Sequence, residues 1–284
     1  MKKSKKKVLF IILFLIVIIA GYLYWQNNSI EVSYYNFSDT SIPAEFDDYK
    51  IVQVSDLHNK DFKNQLTEKA ENERPDIIVV TGDVIDRNRT DIPIAVEALE
   101  DLIEIAPVYF VTGNHEVASG VYDDLKIEMD RIGVINLDNA HDTIRINEAE
   151  LGLIGIEDPL LLLLEDVEAA GSADVLLHQN IEQLYEDVDT DYTMLMSHRA
   201  ELMDIYSETP VDLVLTGHAH GGQIRLPLIE GVFSPSQGFF PQYTNGVYEQ
   251  RETHMVVSRG LGNSIFPFRI NNRPELVVII LESE

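Results

Sequence analysis

Three apolar segments of this chain end in the same dipeptide, and each is followed by a side chain that can ligate a metal ion. They are "IIVVTGDVID" (77–86), "YFVTGNHEV" (109–117) and "LVLTGHAHGG" (213–222). Two more apolar runs, "IVQVSDLH" (51–58) and "TMLMSHRAE" (193–201), end in serine followed by a side chain of the same kind. Together the five ends carry seven nitrogen or oxygen donors, which are Asp56, His58, Asp83, Asn114, His198, His218 and His220.

The number and type of these donors predict two metal ions. The chain has no cysteine, so a metal must be held by oxygen and imidazole ligands, which suit manganese, iron or zinc. Seven donors exceed one tetrahedral site and suit two ions with five or six ligands each, bridged by a carboxylate. Asp83 is the natural bridge because its motif lies between the other Asp and Asn motifs. A hydroxide shared by two such ions is a nucleophile, so the pattern predicts metal-assisted hydrolysis.

Alternating strands and helices would position these donors. Apolar runs at 50–54, 76–80 and 107–111 precede helical patterns at Asn64–Glu73, Ile94–Ile105 and Tyr122–Ile132. This alternation is typical of βαβ units that feed one parallel sheet, whose carboxyl ends gather the ligand loops. The i, i+2 spacing of Asp56 with His58, and of His218 with His220, would place both members on one side of an extended backbone.

The second half of the chain has shorter apolar runs and predicts a second sheet. They lie at 143–146, 150–156, 193–196 and 212–215, and a Gly/Pro-rich stretch then leads to "ELVVIIL" (275–281). The whole reads as a mixed α/β layered fold with two sheets.

The leucine-rich segment "EDPLLLLLEDVEAAGS" (157–172) predicts a helix with Asp158 as N-cap and Gly171 as the C-terminal stop. Because five consecutive leucines point all round a helix, it is either deeply packed or a mobile lid that contacts an apolar substrate or the membrane.

The N-terminus predicts a membrane anchor. A tail with five lysines (1–7) precedes 18 uncharged residues (8–25), long enough as a helix to span a bilayer, with aromatic residues at the far end. The lysines place the tail in the cytoplasm and the rest of the chain outside the membrane. A cleaved signal peptide is the alternative. Residues 26–46 are expected to form a polar stem and residues 47–284 one domain.

Charge narrows the range of partners. Without the five N-terminal lysines, 16 basic residues face 48 acidic ones, a net charge of −32. Nucleic-acid binding is not expected, because it requires basic stripes that contact phosphates. The aromatic stretch 231–249 is long enough to line a substrate pocket, and Arg225, Arg259 and Arg269 could hold a distal phosphate or form ordinary surface ion pairs.

The ordered motifs D-x-H, G-D-x-x-D, G-N-H-E, S-H and G-H-x-H resemble the calcineurin-like metallophosphoesterase superfamily from about Lys50 to Leu281. "GHAHGGQ" and the tail 257–279 resemble its membrane-anchored bacterial phosphodiesterase branch. The resemblance implies a four-layer αββα sandwich with two mixed sheets. It also implies two ligand sets that share Asp83, namely Asp56, His58, Asp83 and His220 for one ion and Asp83, Asn114, His198 and His218 for the other.

The same resemblance implies that His115 protonates or stabilises the leaving oxygen and that Asp86 orients His115. The function expected is hydrolysis of a phosphodiester such as a lipid headgroup or an envelope component, with two divalent ions, manganese favoured. Two alternatives stay open at this point. One is a phosphomonoesterase acting on a nucleotide, lipid or phosphoprotein, and the other is a metal-stabilised scaffold without catalysis.

Overall fold

The computed structural model describes residues 2–263 and 266–284. Its helices within these ranges are α1 Lys2–Asn28, α2 Asn64–Glu73, α3 Ile92–Ile103, α4 Asn114–Ser119, α5 Tyr122–Ile132, α6 Leu164–Ala170, α7 Ala173–Val188 and α8 Met203–Tyr206. Its strands are β1 Glu31–Asp39, β2 Tyr49–Val54, β3 Ile77–Val80, β4 Val108–Phe110, β5 Ile135–Asn136, β6 Ala140–Ile146, β7 Ala149–Gly155, β8 Thr193–Arg199, β9 Leu213–Gly217, β10 Arg225–Leu226, β11 Ile229–Gly231, β12 Phe233–Ser234, β13 Gly238–Phe239, β14 Gly246–Gln250, β15 Thr253–Val257 and β16 Glu275–Ser283.

The first sheet has six strands in the order β1-β16-β2-β3-β4-β5. Strands β2 to β5 are parallel, β16 runs antiparallel to β2, and β1 pairs in parallel with β16. The four residues of β3 are β-branched and fully buried, as expected for a strand covered on both faces. Parallel pairing of β2, β3 and β4 brings the carboxyl ends of three ligand-bearing strands to one edge.

The second sheet also has six strands, in the order β14-β15-β9-β8-β7-β6. Its four central strands are parallel, and the two edge strands are antiparallel to their neighbours. The ends of β8 and β9 therefore lie together at the carboxyl edge of this sheet, as those of β2, β3 and β4 do in the first.

Three buried apolar clusters define four layers. One packs helices α2, α3 and α5 against the first sheet, and includes Leu99 and Met129. A second fills the space between the sheets, and a third packs α7 and α8 against the second sheet, with Ile181 and Tyr206 among its members. The layering confirms the αββα sandwich with two mixed sheets.

The expectation of a polar stem at 26–46 is wrong. Residues 31–39 form β1, which pairs with β16 over its whole length. Ile30, Phe37, Ile42 and Phe46 are all buried. The alternation of polar and apolar residues in "EVSYYNFSD" is that of a half-exposed edge strand, so the segment belongs to the domain.

The expectation of one helix across 157–172 is also wrong. Asp158 does cap a turn, since its side chain accepts from the Leu160 N–H, but this 3-10 turn ends at Leu161. The chain is extended at Leu162 and Leu163 before α6 begins. Leu164 is 81% exposed, so the interpretation as a deeply packed helix fails.

Helix α1 is long and apolar enough to cross a membrane, and the apolar side chains of residues 8–19 lie on its exposed surface. Its last turn contacts the domain. The Arg269 N–H donates to Asn27 Oδ1 at 2.9 Å, and the Asn272 N–H donates to Gln26 Oε1 at 3.1 Å. Hydrogen bonds to the domain therefore hold the C-terminal end of α1.

Candidate metal centre

Four donor atoms from three ligand-bearing strand ends form the first half of the centre. His220 Nε2 lies 3.2 Å from Asp56 Oδ1 and 3.1 Å from His58 Nε2. His58 Nε2 lies 3.6 Å from Asp83 Oδ2. All four residues are buried, and their donor atoms lie within 4.8 Å of one another.

The second half combines Asp83 and His218, from loops that also serve the first half, with Asn114 after β4 and His198 at the end of β8. His198 Nε2 lies 3.2 Å from Asp83 Oδ2, 3.0 Å from His218 Nδ1 and 3.3 Å from Asn114 Oδ1. His198 Nδ1 donates to the Thr81 carbonyl at 2.7 Å, so Nε2 is the nitrogen that faces this group. The structure thus brings all seven predicted donors together.

A single oxygen of Asp83 faces both halves. Asp83 Oδ2 is the atom near His58 and near His198, whereas Oδ1 accepts the His115 N–H at 2.7 Å. One carboxylate oxygen that is held between two donor sets is the arrangement that a bridging ligand needs.

The donor set fits a pair of cations. Two nitrogens bound to one ion at about 2.1 Å, at right to tetrahedral angles, lie roughly 3.0–3.4 Å apart, as these imidazole pairs do. Asp56 Oδ1 is buried and has no hydrogen-bond partner among the described residues, whereas Oδ2 accepts from Ser55 and from the His218 N–H. The free oxygen is the one that faces the two histidines.

The electrostatics of the cluster also call for positive charge. Burial disfavours the charged form of His198, yet the neighbouring Asp83 carboxylate raises the pKa of His198 to about 10. Burial and the charge on His198 then hold the pKa of His218 well below its ordinary value. The carboxylates thus draw a proton into a buried site, and a divalent ion would supply that charge instead.

The local backbone differs from the extended geometry expected for the i, i+2 pairs. Asp56, His58, Asp83, His218 and His220 all have φ between 47° and 65°. Left-handed residues turn the chain sharply after each strand, and these turns direct the donors to one point. Non-glycine residues in this region are strained, and such strain is concentrated at functional sites.

The glycines of two Thr-Gly endings are explained by close approach between the loops. Gly82 has φ 84°, and a Cβ there would come within 2.5 Å of the Gly113 nitrogen. A Cβ at Gly217 would collide with Ser55 Oγ and approach Asp56 Oδ2. The repeated glycine thus lets one ligand loop pack directly on the next.

His115 lies beside the cluster, with its ring 4.3 Å from that of His58 between centroids. The Arg87 N–H donates to His115 Nδ1 at 3.1 Å, which places the proton of the neutral imidazole on Nε2. Burial lowers the pKa of His115 to about 4, so the ring is neutral near pH 7. Among the described residues, no hydrogen bond joins Asp86 to His115; Asp86 Oδ1 accepts instead from the Asn88 and Arg89 N–H groups.

Glu116 is a functional residue that sequence reasoning left without a role. Its buried carboxylate accepts the N–H groups of Asp83 at 2.7 Å, Gly113 at 2.8 Å and Ile85 at 3.1 Å. Burial and the charge on Asp83 raise the pKa of Glu116 to about 8. Its position three residues after Gly113, as the N3 residue of α4, was the available signal, because such a glutamate often folds back onto backbone N–H groups.

We expect Glu116→Ala to leave three buried N–H groups without an acceptor and to destabilise the protein by about 3 kcal/mol. In a domain of this size that corresponds to a fall of roughly 6–12 °C in the thermal midpoint, measured by circular dichroism in detergent. Glu68→Ala, which removes an exposed glutamate of α2, is the control and should leave the midpoint within about 2 °C. Equal midpoints for both variants would show that Glu116 does not hold these loops.

Arg199 was also missed and is the arginine nearest the ligands. Its guanidinium forms a two-point ion pair with Asp158, at 2.6 and 2.9 Å, and Nη1 lies 3.3 Å from His218 Nε2. Of the three arginines singled out in the sequence, Arg269 also contacts a ligand, since its Nη2 lies 3.4 Å from His220 Nδ1 while the guanidinium donates to the Gly262 and Arg259 carbonyls. Arg259 pairs with Glu275, and Arg225 donates to the Gly221 carbonyl.

The histidines outside the motifs lie away from the cluster. His178 interacts with Glu182 on its own helix, and His254 packs on Phe37. His141 lies on the edge strand β6, on the exposed surface.

Comparison with known proteins gives several matches. The family model for the calcineurin-like phosphoesterase matches residues 49–222. The uncharacterized metallophosphoesterase YkuE of Bacillus subtilis is 30% identical over 92% of this chain and 88% of its own. The phosphodiesterase YaeI of Escherichia coli is 26% identical, with 86% and 84% covered. A bovine transmembrane protein with metallophosphoesterase domain is 27% identical, with 85% and 55% covered.

Proposed function

Because the chain belongs to the calcineurin-like phosphoesterase family, we propose that it is a membrane-anchored enzyme that hydrolyses phosphodiesters with two divalent ions in the cluster around Asp83. The observation that carries this proposal is the position of Asp83 Oδ2 between two sets of imidazole donors. Oxygen and imidazole ligands accept manganese, iron or zinc, and we favour manganese.

The residues in and around the cluster would have different roles in the reaction. Held by the seven donors around Asp83, two divalent ions would supply positive charge that neutralises the phosphoryl group and makes water a stronger nucleophile near neutral pH. Asp83 would hold the two halves in register, and Glu116 would fix the Asp83 loop through its backbone. His115 would donate a hydrogen bond from its neutral Nε2–H to the leaving oxygen and stabilise the charge that develops there, and Asp86 would act on His115 through its charge. Arg199 would bind a phosphoryl oxygen from the His218 side.

A diester is the favoured substrate class. Several relatives are metallophosphoesterases, and one of them, YaeI, is named a phosphodiesterase. A phosphomonoesterase remains the second candidate, since the same cluster would serve both reactions. The apolar helix α1 supports anchoring in a membrane, and the five N-terminal lysines favour an extracytoplasmic position for the domain. A lipid headgroup or an envelope phosphodiester would be within reach of an enzyme held there.

The test uses the full chain purified in detergent, stripped with a chelator and reloaded with Mn²⁺. We expect about two ions per chain by mass spectrometry of the metals, and faster hydrolysis of bis-p-nitrophenyl phosphate than of p-nitrophenyl phosphate. Activity on the monoester alone would favour the phosphomonoesterase. Hydrolysis of neither ester by the loaded protein would contradict the enzymatic proposal and favour a metal-stabilised scaffold.

A further inference from the structure

The first hairpin after the ligand His220 carries an exposed apolar tip. Strands β10 and β11 pair around the turn Pro227-Leu228, and Leu226, Leu228 and Ile229 are all exposed, Leu228 completely. Leu228 also has φ 72°, at a turn position that favours glycine. A leucine there is unfavourable both for the backbone and for hydration, so its presence indicates a contact outside the domain.

The next hairpin presents aromatic rings beside the metal cluster. Strands β12 and β13 carry Phe233 and Phe239, which pack edge to face at 5.4 Å and are both exposed. Ser236, in the turn between them, lies 3.0 Å from His218 Nε2 and accepts from Arg199 Nη1 at 2.9 Å. This hairpin therefore stands at the mouth of the centre.

A third apolar element lies on the Asp56 side of the cluster. The Gly262 N–H donates to the Asp56 carbonyl at 2.6 Å, and Arg269 Nε donates to the Gly262 carbonyl at 3.0 Å. Between these anchored residues, Phe266 and Phe268 are exposed, with ring centroids 6.1 Å apart. Exposed apolar side chains thus border the centre on both its halves.

The end of α1 is tied to these elements. Tyr22, within the apolar stretch, donates to Asn271 Oδ1 at 2.5 Å, and Asn271 Nδ2 donates to the Arg225 carbonyl of the first hairpin at 3.1 Å. The Arg273 guanidinium lies over the Trp25 ring at 4.9 Å. Tyrosine and tryptophan at the end of a membrane helix lie at the level of the lipid headgroups, so the hairpin is held near the same level.

We propose that these three elements, the tips at 226–229, 233–240 and 266–268, form a membrane-contacting rim around the metal centre. The inference rests on the proposed function and narrows its substrate class to phosphoesters presented at the bilayer surface. A domain with a net charge of −32 outside its N-terminal tail is repelled by anionic lipids, so the rim must bind through buried apolar area. A headgroup could then reach the ions without leaving the membrane.

The absence of cysteine from the sequence makes a direct test simple. Leu228→Cys would be labelled with an environment-sensitive fluorophore in the full chain, which is then placed in phosphatidylcholine nanodiscs with or without doxyl-labelled lipid. We expect doxyl lipid to quench the label at 228. The matched control is Glu148→Cys, an exposed residue in the turn between β6 and β7. This turn lies at the amino end of β7, so it is at the end of the second sheet opposite the metal centre. Its fluorescence should not change.

The same samples are assayed for metal content and for hydrolysis of bis-p-nitrophenyl phosphate, which is soluble. A protein that is active but unquenched at 228, or equally quenched at 148, would overturn the rim while leaving the proposed function intact. A label whose emission depends on protein concentration, without lipid quenching, would assign the surface to a second copy and would also overturn it. Quenching at 228 without hydrolysis would uphold the rim and remove the proposed function.

Discussion

Replacing Asp83 with asparagine is expected to empty both halves of the centre and to abolish phosphodiester hydrolysis. The amide keeps one oxygen but loses the charge, and the single oxygen Oδ2 faces His58 and His198 together. Because changes to partners of metal ligands alone cost about 10–100-fold in affinity, loss of a shared ligand should cost on the order of 100-fold or more for both ions. Metal content after dialysis and the rate on bis-p-nitrophenyl phosphate measure the two effects.

Asp123→Asn is the matched control, since it neutralises an exposed aspartate in the first turn of α5. It should retain both ions and the full rate. An Asp83→Asn protein that is folded by circular dichroism and still carries two ions would refute the bridging role. Loss of one ion only would restrict Asp83 to one half of the centre.

Replacing His115 with alanine is expected to lower kcat by about 10²–10³-fold while metal content stays normal. His115 lies outside both donor groups that share Asp83, and its neutral ring carries the proton on Nε2. The hydrogen bond from this N–H matters least for a weakly basic leaving oxygen, so an ester with such a leaving group should lose much less rate. The measurement compares bis-p-nitrophenyl phosphate with a diester of an alkyl alcohol, for which the full loss is expected.

His141→Ala removes an exposed histidine of β6 and should change neither rate. Equal losses of His115→Ala on both esters would indicate a role in ground-state binding instead. Unchanged rates on both would remove His115 from the reaction.

The sequence predicted the main strands and helices of the two-sheet fold well. Runs such as "IIVV" (77–80) are apolar throughout and short, which marks a strand buried on both faces, and the structure places β3 there. Helices α2 and α5 have the expected bounds, Asn64–Glu73 and Tyr122–Ile132, because apolar spacing and the residues that follow them define both ends. The seven donors could be found for the same reason, since parallel strands bring their carboxyl ends to one edge.

The features that the sequence predicted wrongly or did not indicate depend on contacts between distant parts of the chain. Residues 31–39 are rich in polar residues, which favoured a stem. They form a strand because β16, more than 230 residues later in the sequence, provides the edge with which they pair. Arg199 could not be identified from its neighbours in sequence, because its partners Asp158 and His218 come close to it only in the folded protein. The turn conformations at the ligands were also beyond sequence patterns, because left-handed φ values at Asp56 or His218 arise from the crowding of five loops.

Strand β16 lies between β1 and β2 in the first sheet. The polypeptide emerges from the ribosome with β1 and β2 next to each other in order, yet they become neighbours of β16 and not of one another. Completion of this sheet therefore has to wait until residue 283 has been synthesised, and a nascent chain paused before that point leaves β1 without a partner and one edge of β2 unpaired.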